Sequence, residues 1–434
     1  MNAVPARQPA FAAFQHRGYR GFVLGNAVAM MADNTEHVIS YWVLHQKFHS
    51  PALGAFAVIS HWLPFLLLSG YAGVLADRSH PRRMIQCGMV LFMAVSVAWG
   101  LLFLHGQLYI WEACVLLALH GIAGVLWIAP AQLLIHDIVG PEHLQSAVRL
   151  GASARYLGML VGPVIGNLLM IALGPAHGIL ANALIYLPML IWLHKPRYLE
   201  RADSAARRHL LLLASRLGGV AQSWRSMGGN RQIIAMTVLA GCASFFIGNA
   251  YQAQMPGFAD DLGFRSAGAA YTALLAADAT GAFIAVLVLE SRNLLPATPG
   301  GALLLAAGWC LAIGGFALSH SYPLTLSLLL AAGFFELSFS AMAQTIVQLK
   351  APAAQRGGIV GLFVSASLGL RTFSGVSVGL GGVLVGIHYS LALSAAALLL
   401  CVGSIAHWIR PPPRQVADAL GKSNTAGRNG PGGV

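Results

Sequence analysis

Charge is scarce in this chain. Of 434 residues only 9% are Asp, Glu, Lys or Arg, while 57% are hydrophobic. A soluble protein of this size carries about 25% charged residues, so a water-soluble domain is excluded. Acids are scarcer than bases, 14 against 26. In a soluble chain that excess would suggest nucleic acid, but its distribution argues otherwise, as shown below. Cysteine is sparse too. Cys87, Cys114, Cys242, Cys310 and Cys401 all sit in apolar runs without paired spacing. A disulfide framework and a zinc finger are excluded on that ground, and all five are expected to be buried packing residues. The first 20 residues contain Arg7, Arg17 and Arg20 but no separate apolar core with a cleavage site, so no removable leader is expected. Gly421-Lys422-Ser423 lacks the earlier glycine and the strand of a phosphate loop. Neither His-Glu-x-x-His nor an activated-serine pattern is present, so an enzyme is not expected.

What the chain has instead is repeated apolar runs of about 20 residues, each long enough to span a bilayer. Twelve helices are predicted, at roughly 19–46, 52–76, 84–105, 108–136, 146–172, 175–194, 231–256, 267–290, 301–319, 323–349, 358–386 and 389–409. With that topology 22 of the 26 Lys and Arg fall on one side, two (Lys47, Arg265) on the other, and two (Arg155, Arg371) within the membrane. Basic loops mark the cytoplasmic face, so both termini are expected there. The expected location is an inner cell membrane, crossed many times.

Three local echoes separate the halves by about half the chain. Ala131-Gln132 recurs as Ala343-Gln344, Pro141 as Pro352, and the stretch from Ser50 loosely as that from Ser266. A duplicated six-helix unit leaves such offsets. The expected fold is therefore an all-α membrane protein of twelve transmembrane helices in two pseudo-symmetric six-helix bundles. Residues 1–194 form the first bundle, 195–230 a basic linker, 231–410 the second bundle and 411–434 a disordered tail. Ala205–Trp224 in the linker is expected to be an amphipathic helix on the inner leaflet.

Six charged residues stand where they cost most. Asp33 and Glu36 lie near the middle of the first predicted helix, on one face with His37 and Ser40. Asp278, Glu336, Arg155 and Arg371 lie within the eighth, tenth, fifth and eleventh. Facing lipid, each would cost about 2.5–3.5 kcal/mol, so they must face a wet cavity or one another. Two acids within one turn repel, which favours binding a proton. The arginines would neutralise the acids, as structural bridges, or meet an anionic cargo. His45 and His49, four apart, are too few for a metal site, and none is expected.

Gly73, Asp77, Arg78, Arg82 and Arg83 crowd the turn between the second and third runs. Gly73 lets another helix approach, and Asp77 can meet the positive end of a helix. The pattern Gly-x-x-x-Asp-Arg-x-x-x-Arg-Arg at this position resembles the signature loop of the major facilitator superfamily, with His80-Pro81 where many members have glycine. The resemblance implies a latch on the cytoplasmic side. Gly158, Gly162, Pro163 and Gly166 resemble the fifth-helix motif of antiporters in that superfamily, and His120 stands four before Gly124, where proton-coupled members commonly carry arginine. Ala129-Pro130-Ala131 and the segment 139–147 resemble the branch that holds the enterobactin exporter and multidrug-efflux carriers; Asp33-Asn34 is also similar to lysophospholipid carriers. Together these imply a secondary active transporter, not an enzyme, exporting a drug-like compound or siderophore against protons by alternating access. A lipid carrier of the same fold is the alternative, and a membrane-embedded sensor a remoter one. Asp33, Glu36, His37, His120, Arg155, Asp278, Glu336 and Arg371 are the candidate proton and substrate residues. No cofactor beyond the proton gradient is expected, and a monomer without nucleic acid is the expected state.

Overall fold

A computed structural model of the chain describes residues 11–48, 51–194, 219–248, 250–253, 255–263, 268–292, 296–374 and 381–409. Most of the linker, the tail, and His49, Gly375 and Gly379 lie outside the described residues, as does most of the proposed helix Ala205–Trp224. Its last part does belong to a short helix, Gly219–Gly228.

Long apolar runs leave the backbone only one way to satisfy its own hydrogen bonds in oil, and these runs are helical. The first three are α1 (Arg17–Phe48), α2 (Pro51–Arg78) and α3 (Pro81–His105). A helical run from Ile110 to Ile185 follows, broken by Gly140 (φ 73°, ψ 174°) and Gly174 (φ 76°, ψ 165°). Only glycine adopts such angles without strain, and a proline follows each, pre-set for a new first turn. The breaks give α4 (110–139), α5 (141–173) and α6 (175–185, continued by Leu187–His194).

In the second half, α7 (Arg231–Phe246) begins at Asn230, whose side chain caps two backbone N–H groups. It is interrupted at Ile247 and Gly248 (φ 48°), and the described residues 250–253 and 255–261 are again helical. Then come α8 (Gly268–Arg292), α9 (Pro299–Leu318) and α10 (Tyr322–Lys350). The helix α11 (Arg356–Val364) passes into a π turn, Ser365–Gly369, and on to Arg371–Ser374 and Gly381–Val385. Helix α12 (Ile387–Ile409) follows Gly386 (φ 87°). Two expectations change here. The fifth helix starts at Pro141, five residues early, because Gly140 turns the chain in a single residue; the seventh and eleventh are segmented rather than continuous.

Large apolar side chains point outward around the belt, among them Ile171, Leu304, Leu384 and Leu400, each at least 74% exposed. Exposure on that scale belongs in lipid. Inside, one core holds Leu239, Trp309, Phe316 and Leu398 and draws on α7–α12 with Met227; another holds Ile39, Trp99, Leu117 and Ile179 and draws on α1–α6 alone. Each half thus has its own packing, in two six-helix bundles. The cysteines depart from expectation: among them only Cys310 is buried, and Cys87 is exposed on α3. A thiol is apolar enough to face lipid.

The halves meet along α2 and α11. A Cβ on Gly73 would lie 2.0 Å from the Gly357 carbonyl oxygen, one on Gly361 2.2 Å from that of Ser69, and one on Gly369 2.3 Å from the Leu66 Cα. Helix α5 is held against α1 in the same way: Cβ atoms on Gly158 and Gly162 would lie 2.6 Å from the Ala27 carbonyl oxygen and the Asn34 Cβ. Gly166 lies one turn further on, facing Thr35 and Val38. Thr35 donates to the Gly162 carbonyl at 2.9 Å, next to Pro163.

Candidate functional site

A cavity of about 380 Å³ lies between the bundles. Asp33, His37, Tyr41, His61, Trp62, Arg155 and Tyr156 line it from one half, Gln252, Glu336, Gln344 and Arg371 from the other. Four of the six intramembrane charges, Asp33, Arg155, Glu336 and Arg371, therefore line one space, which answers their cost in lipid; Glu36 and Asp278 are buried but do not line it.

On the first bundle's wall, α1 presents Asp33, Glu36 and His37 toward α2, α3 and α4. His120 of α4 stands between the two acids: its Nε2 lies 2.8 Å from Asp33 Oδ1 and its Nδ1 2.8 Å from Glu36 Oε1. All three are buried, Glu36 to 1% exposure and His120 to 4%. Ser96 of α3 donates to the other Glu36 oxygen, and Asn182 of α6 donates to Ser96 at 3.4 Å. His37 Nε2 lies 3.2 Å from His61 Nδ1 and its Nδ1 3.8 Å from Asp33. The repulsion expected between Asp33 and Glu36 is thus relieved by an imidazole that can donate to both, a charge-assisted arrangement. Phe92 and Tyr186 stack at 5.1 Å, and Phe92 closes the buried side of His120, edge to face at 4.7 Å.

On the facing wall the geometry differs. Tyr251, just past the break in α7, places its hydroxyl 3.0 Å from Asp278 Oδ2 and 3.3 Å from Glu336 Oε2. Gln252 donates to the same Asp278 oxygen at 3.1 Å, while Asp278 Oδ1 is buried without a hydrogen-bond partner. No cation lies within 4.0 Å of either acid among the described residues. Helices α8 and α10 bring the two acids together by touching backbone to backbone, since a Cβ on Gly333 would lie 1.9 Å from the Asp278 carbonyl oxygen.

The arginines make no ion pair with the acids within 4.0 Å among the described residues, although Arg371 and Glu336 line the same cavity and interact electrostatically. Arg371 lies over the Trp62 ring at 5.3 Å with a buried, unpartnered Nε, and Arg155 makes no ion pair among the described residues.

At one end of the bundles Asp77 caps α11. Its Oδ1 accepts from the Gly357 N–H at 2.7 Å and its Oδ2 from the Gly358 N–H at 2.9 Å. These are the free donors of a helix start, where a negative charge is favoured. Arg78 lies beside Gly219 of the short helix, but Arg82 and Arg83 make no side-chain hydrogen bond or ion pair among the described residues. His80 is the residue before α3 with φ −81°, a value open to any residue, so the missing glycine costs nothing. Gln348 donates to Gln132 at 3.3 Å, Arg356 Nη1 lies 3.3 Å from His136, and Arg149 donates to the Leu289 carbonyl at 2.9 Å. These contacts between halves all lie on the Asp77 side of the cavity, which is closed there.

Sequence reasoning missed His61, Ser96, Tyr251 and Gln252. His61-Trp62 and Tyr251-Gln252 are polar groups inside apolar runs, the signal that singled out Asp33 and Glu336, but they carry no formal charge and drew no notice.

Similarity to known proteins agrees with this architecture. The enterobactin exporter EntS of Escherichia coli (strain K12) is 26% identical over 371 residues, covering 80% of this chain and 82% of that one. In structure the chain resembles the proton:xylose symporter XylE (TM-score 0.72, 14% identity, 91% and 95% covered). It also resembles the human organic anion transporter MFSD10 (TM-score 0.64, 14% identity, 89% and 99% covered). Both likenesses concern the fold. Residues 22–370 match the Major Facilitator Superfamily; with two six-helix bundles around a charged cavity, the chain is a multi-pass membrane transporter belonging to that superfamily.

Proposed function

We propose that the protein exports a small organic anion in exchange for protons, by rocking residues 1–194 against 231–410 across an inner membrane with both termini in the cytoplasm. The observation that carries the coupling is the pair Asp278 and Glu336 around one Tyr251 hydroxyl. A hydroxyl has one proton to donate. It serves one carboxylate, and the other must bring its own proton to meet the phenol oxygen. With no ion pair to either acid within 4.0 Å among the described residues, two ionised acids there would repel by several kcal/mol, so the pair is suited to hold a proton and release it when the cavity changes sides. The substrate charge is argued from Arg155 and Arg371, two cations lining the cavity without an ion pair within 4.0 Å among the described residues. Similarity to EntS, whose name states an exporter, supports the direction.

The test uses purified protein in liposomes with an internal pH dye and a panel of catecholates and drug-like anions. The wild type is expected to move protons in the direction opposite to the cargo and in step with it. Glu336→Gln and Asp278→Asn should uncouple the two while cargo still binds. Proton flux unchanged in both variants would overturn the assignment.

One observation favours a second reading, the lipid carrier. A side crevice of about 250 Å³ opens between α5 and α8, lined by Leu157 and Phe283, and it shares Tyr156 with the main cavity. Transfer of a fluorescent lysophospholipid between leaflets by the same liposomes, without flux of soluble anions, would select it.

A further inference from the structure

We propose that His37, His61 and His120, with Asp33 beside them, form a binding site for a divalent transition-metal ion of the zinc class in the wall of the cavity. One nitrogen from each of the three histidines lies within 4.8 Å of the other two. Two of the contacts are already at or inside the spacing an ion would set: His37 Nε2 to His61 Nδ1 is 3.2 Å, and His120 Nε2 to Asp33 Oδ1, a hydrogen bond the ion would open, is 2.8 Å. A tetrahedral zinc ion with bonds of about 2.0–2.1 Å holds its donor atoms roughly 3.3 Å apart. Asp33 and His37 come from one face of α1 at a spacing of four, His61 from α2 and His120 from α4, so no single helix strains to close the set.

The surroundings fit a metal better than a chance cluster of rings. Ligating histidines in metal sites hand their second nitrogen to a carboxylate or carbonyl, which fixes the ring. His120 does this: its Nδ1 meets Glu36 Oε1 at 2.8 Å, and Glu36 is held in turn by Ser96. Phe92 packs on the same ring. The charges also balance, because a dication among neutral imidazoles is offset by Asp33 and Glu36. Asp33, His37 and His61 line the cavity, which supplies the entry path. Three imidazole nitrogens select borderline ions over Mg²⁺ and Ca²⁺, which require oxygen shells. The proposal needs no assumption about cargo, direction or coupling.

The experiment is equilibrium binding to the full chain in detergent after chelator treatment. Zn²⁺ is titrated by calorimetry, and Co²⁺ is added as a spectroscopic probe. One ion per chain is expected, together with the intense visible bands of tetrahedral Co²⁺. His61→Ala and His37→Ala should each weaken binding at least tenfold and dim those bands. Ser96→Ala, which frees the outer carboxylate, should weaken it less, and the exposed His105→Ala and His194→Ala should change nothing. Excess Mg²⁺ should not compete. Failure of the wild type to bind one ion, or Co²⁺ bands of an octahedral hexa-aqua type, overturns the site without recourse to any variant. Undiminished affinity in a folded His37→Ala/His61→Ala double variant overturns it as well.

Discussion

Arg155 and Arg371 line a shared cavity from opposite bundles, and in the proposed function they are the groups that meet an anionic cargo. A guanidinium offers five donors in a fixed fork, suited to a carboxylate or a catecholate, and Arg371 is already braced on Trp62. Hydrogen bonds to charged groups contribute about 1.5–3 kcal/mol. Arg371→Gln is therefore expected to weaken binding of an anionic cargo about ten- to a hundredfold while sparing a neutral analogue, measured by quenching of cavity tryptophan fluorescence. Equal losses for both cargoes would remove the arginine from recognition. At this scale the sequence was legible where a formal charge sat in an apolar run, as at Asp33, Asp278 and Glu336. It was illegible in its pairings. His120 meets Asp33 across 87 residues and Glu36 across 84, and no local spacing encodes which of several acids a ring will meet.

Helices were easier to read than their interruptions. Apolar length alone placed α2, α3, α9 and α12 within about three residues, because a bilayer imposes the same length on each. The fifth-helix glycines stood out in the sequence by their motif spacing, and in the structure they form a close-packing face that α1 fills. Gly162→Leu should press its side chain into Asn34 and Met31; overpacking of that kind costs about 1–3 kcal/mol. Its expected signature is a fall of several degrees in the melting temperature in detergent, with cargo affinity falling only in proportion to the folded fraction. The break in α7 that delivers Tyr251 was not legible. Gly248 there looks like any other glycine of an apolar run, and only packing against Ser374 of α11 shows why the chain turns.

Across the whole molecule, closure at one end rests on few polar contacts. Asp77 supplies two charge-assisted bonds to α11, and the Gln132–Gln348 and Arg149–Leu289 pairs add neutral or singly charged ones. Losing the Asp77 bonds should shift the two-state balance by roughly 1.5–3 kcal/mol or more. In a cysteine-free background with spin labels at the exposed Arg83 and Lys350, Asp77→Ala is expected to add a longer-distance population absent from the parent. An unchanged distance distribution would show that the cap contributes nothing to closure. That the turn at 73–83 lies at a membrane surface was legible, because an acid and three arginines cannot sit in oil, and Asp77 there caps α11. Its receiver was not legible: the two amides of Gly357 and Gly358 carry no side-chain signature.

The π turn at Ser365–Gly369 has a consequence for what moves. Such a turn holds one residue more than an α turn, and one residue is about 100° of rotation. Were the surplus residue to migrate along the rod like a ruck in a carpet, Arg371 would swivel off Trp62 while the latch two turns away stayed seated. The gripping of a passenger and the opening of the door are in that case separate strokes, and a shortened Ser365–Gly369 segment would fuse them into one.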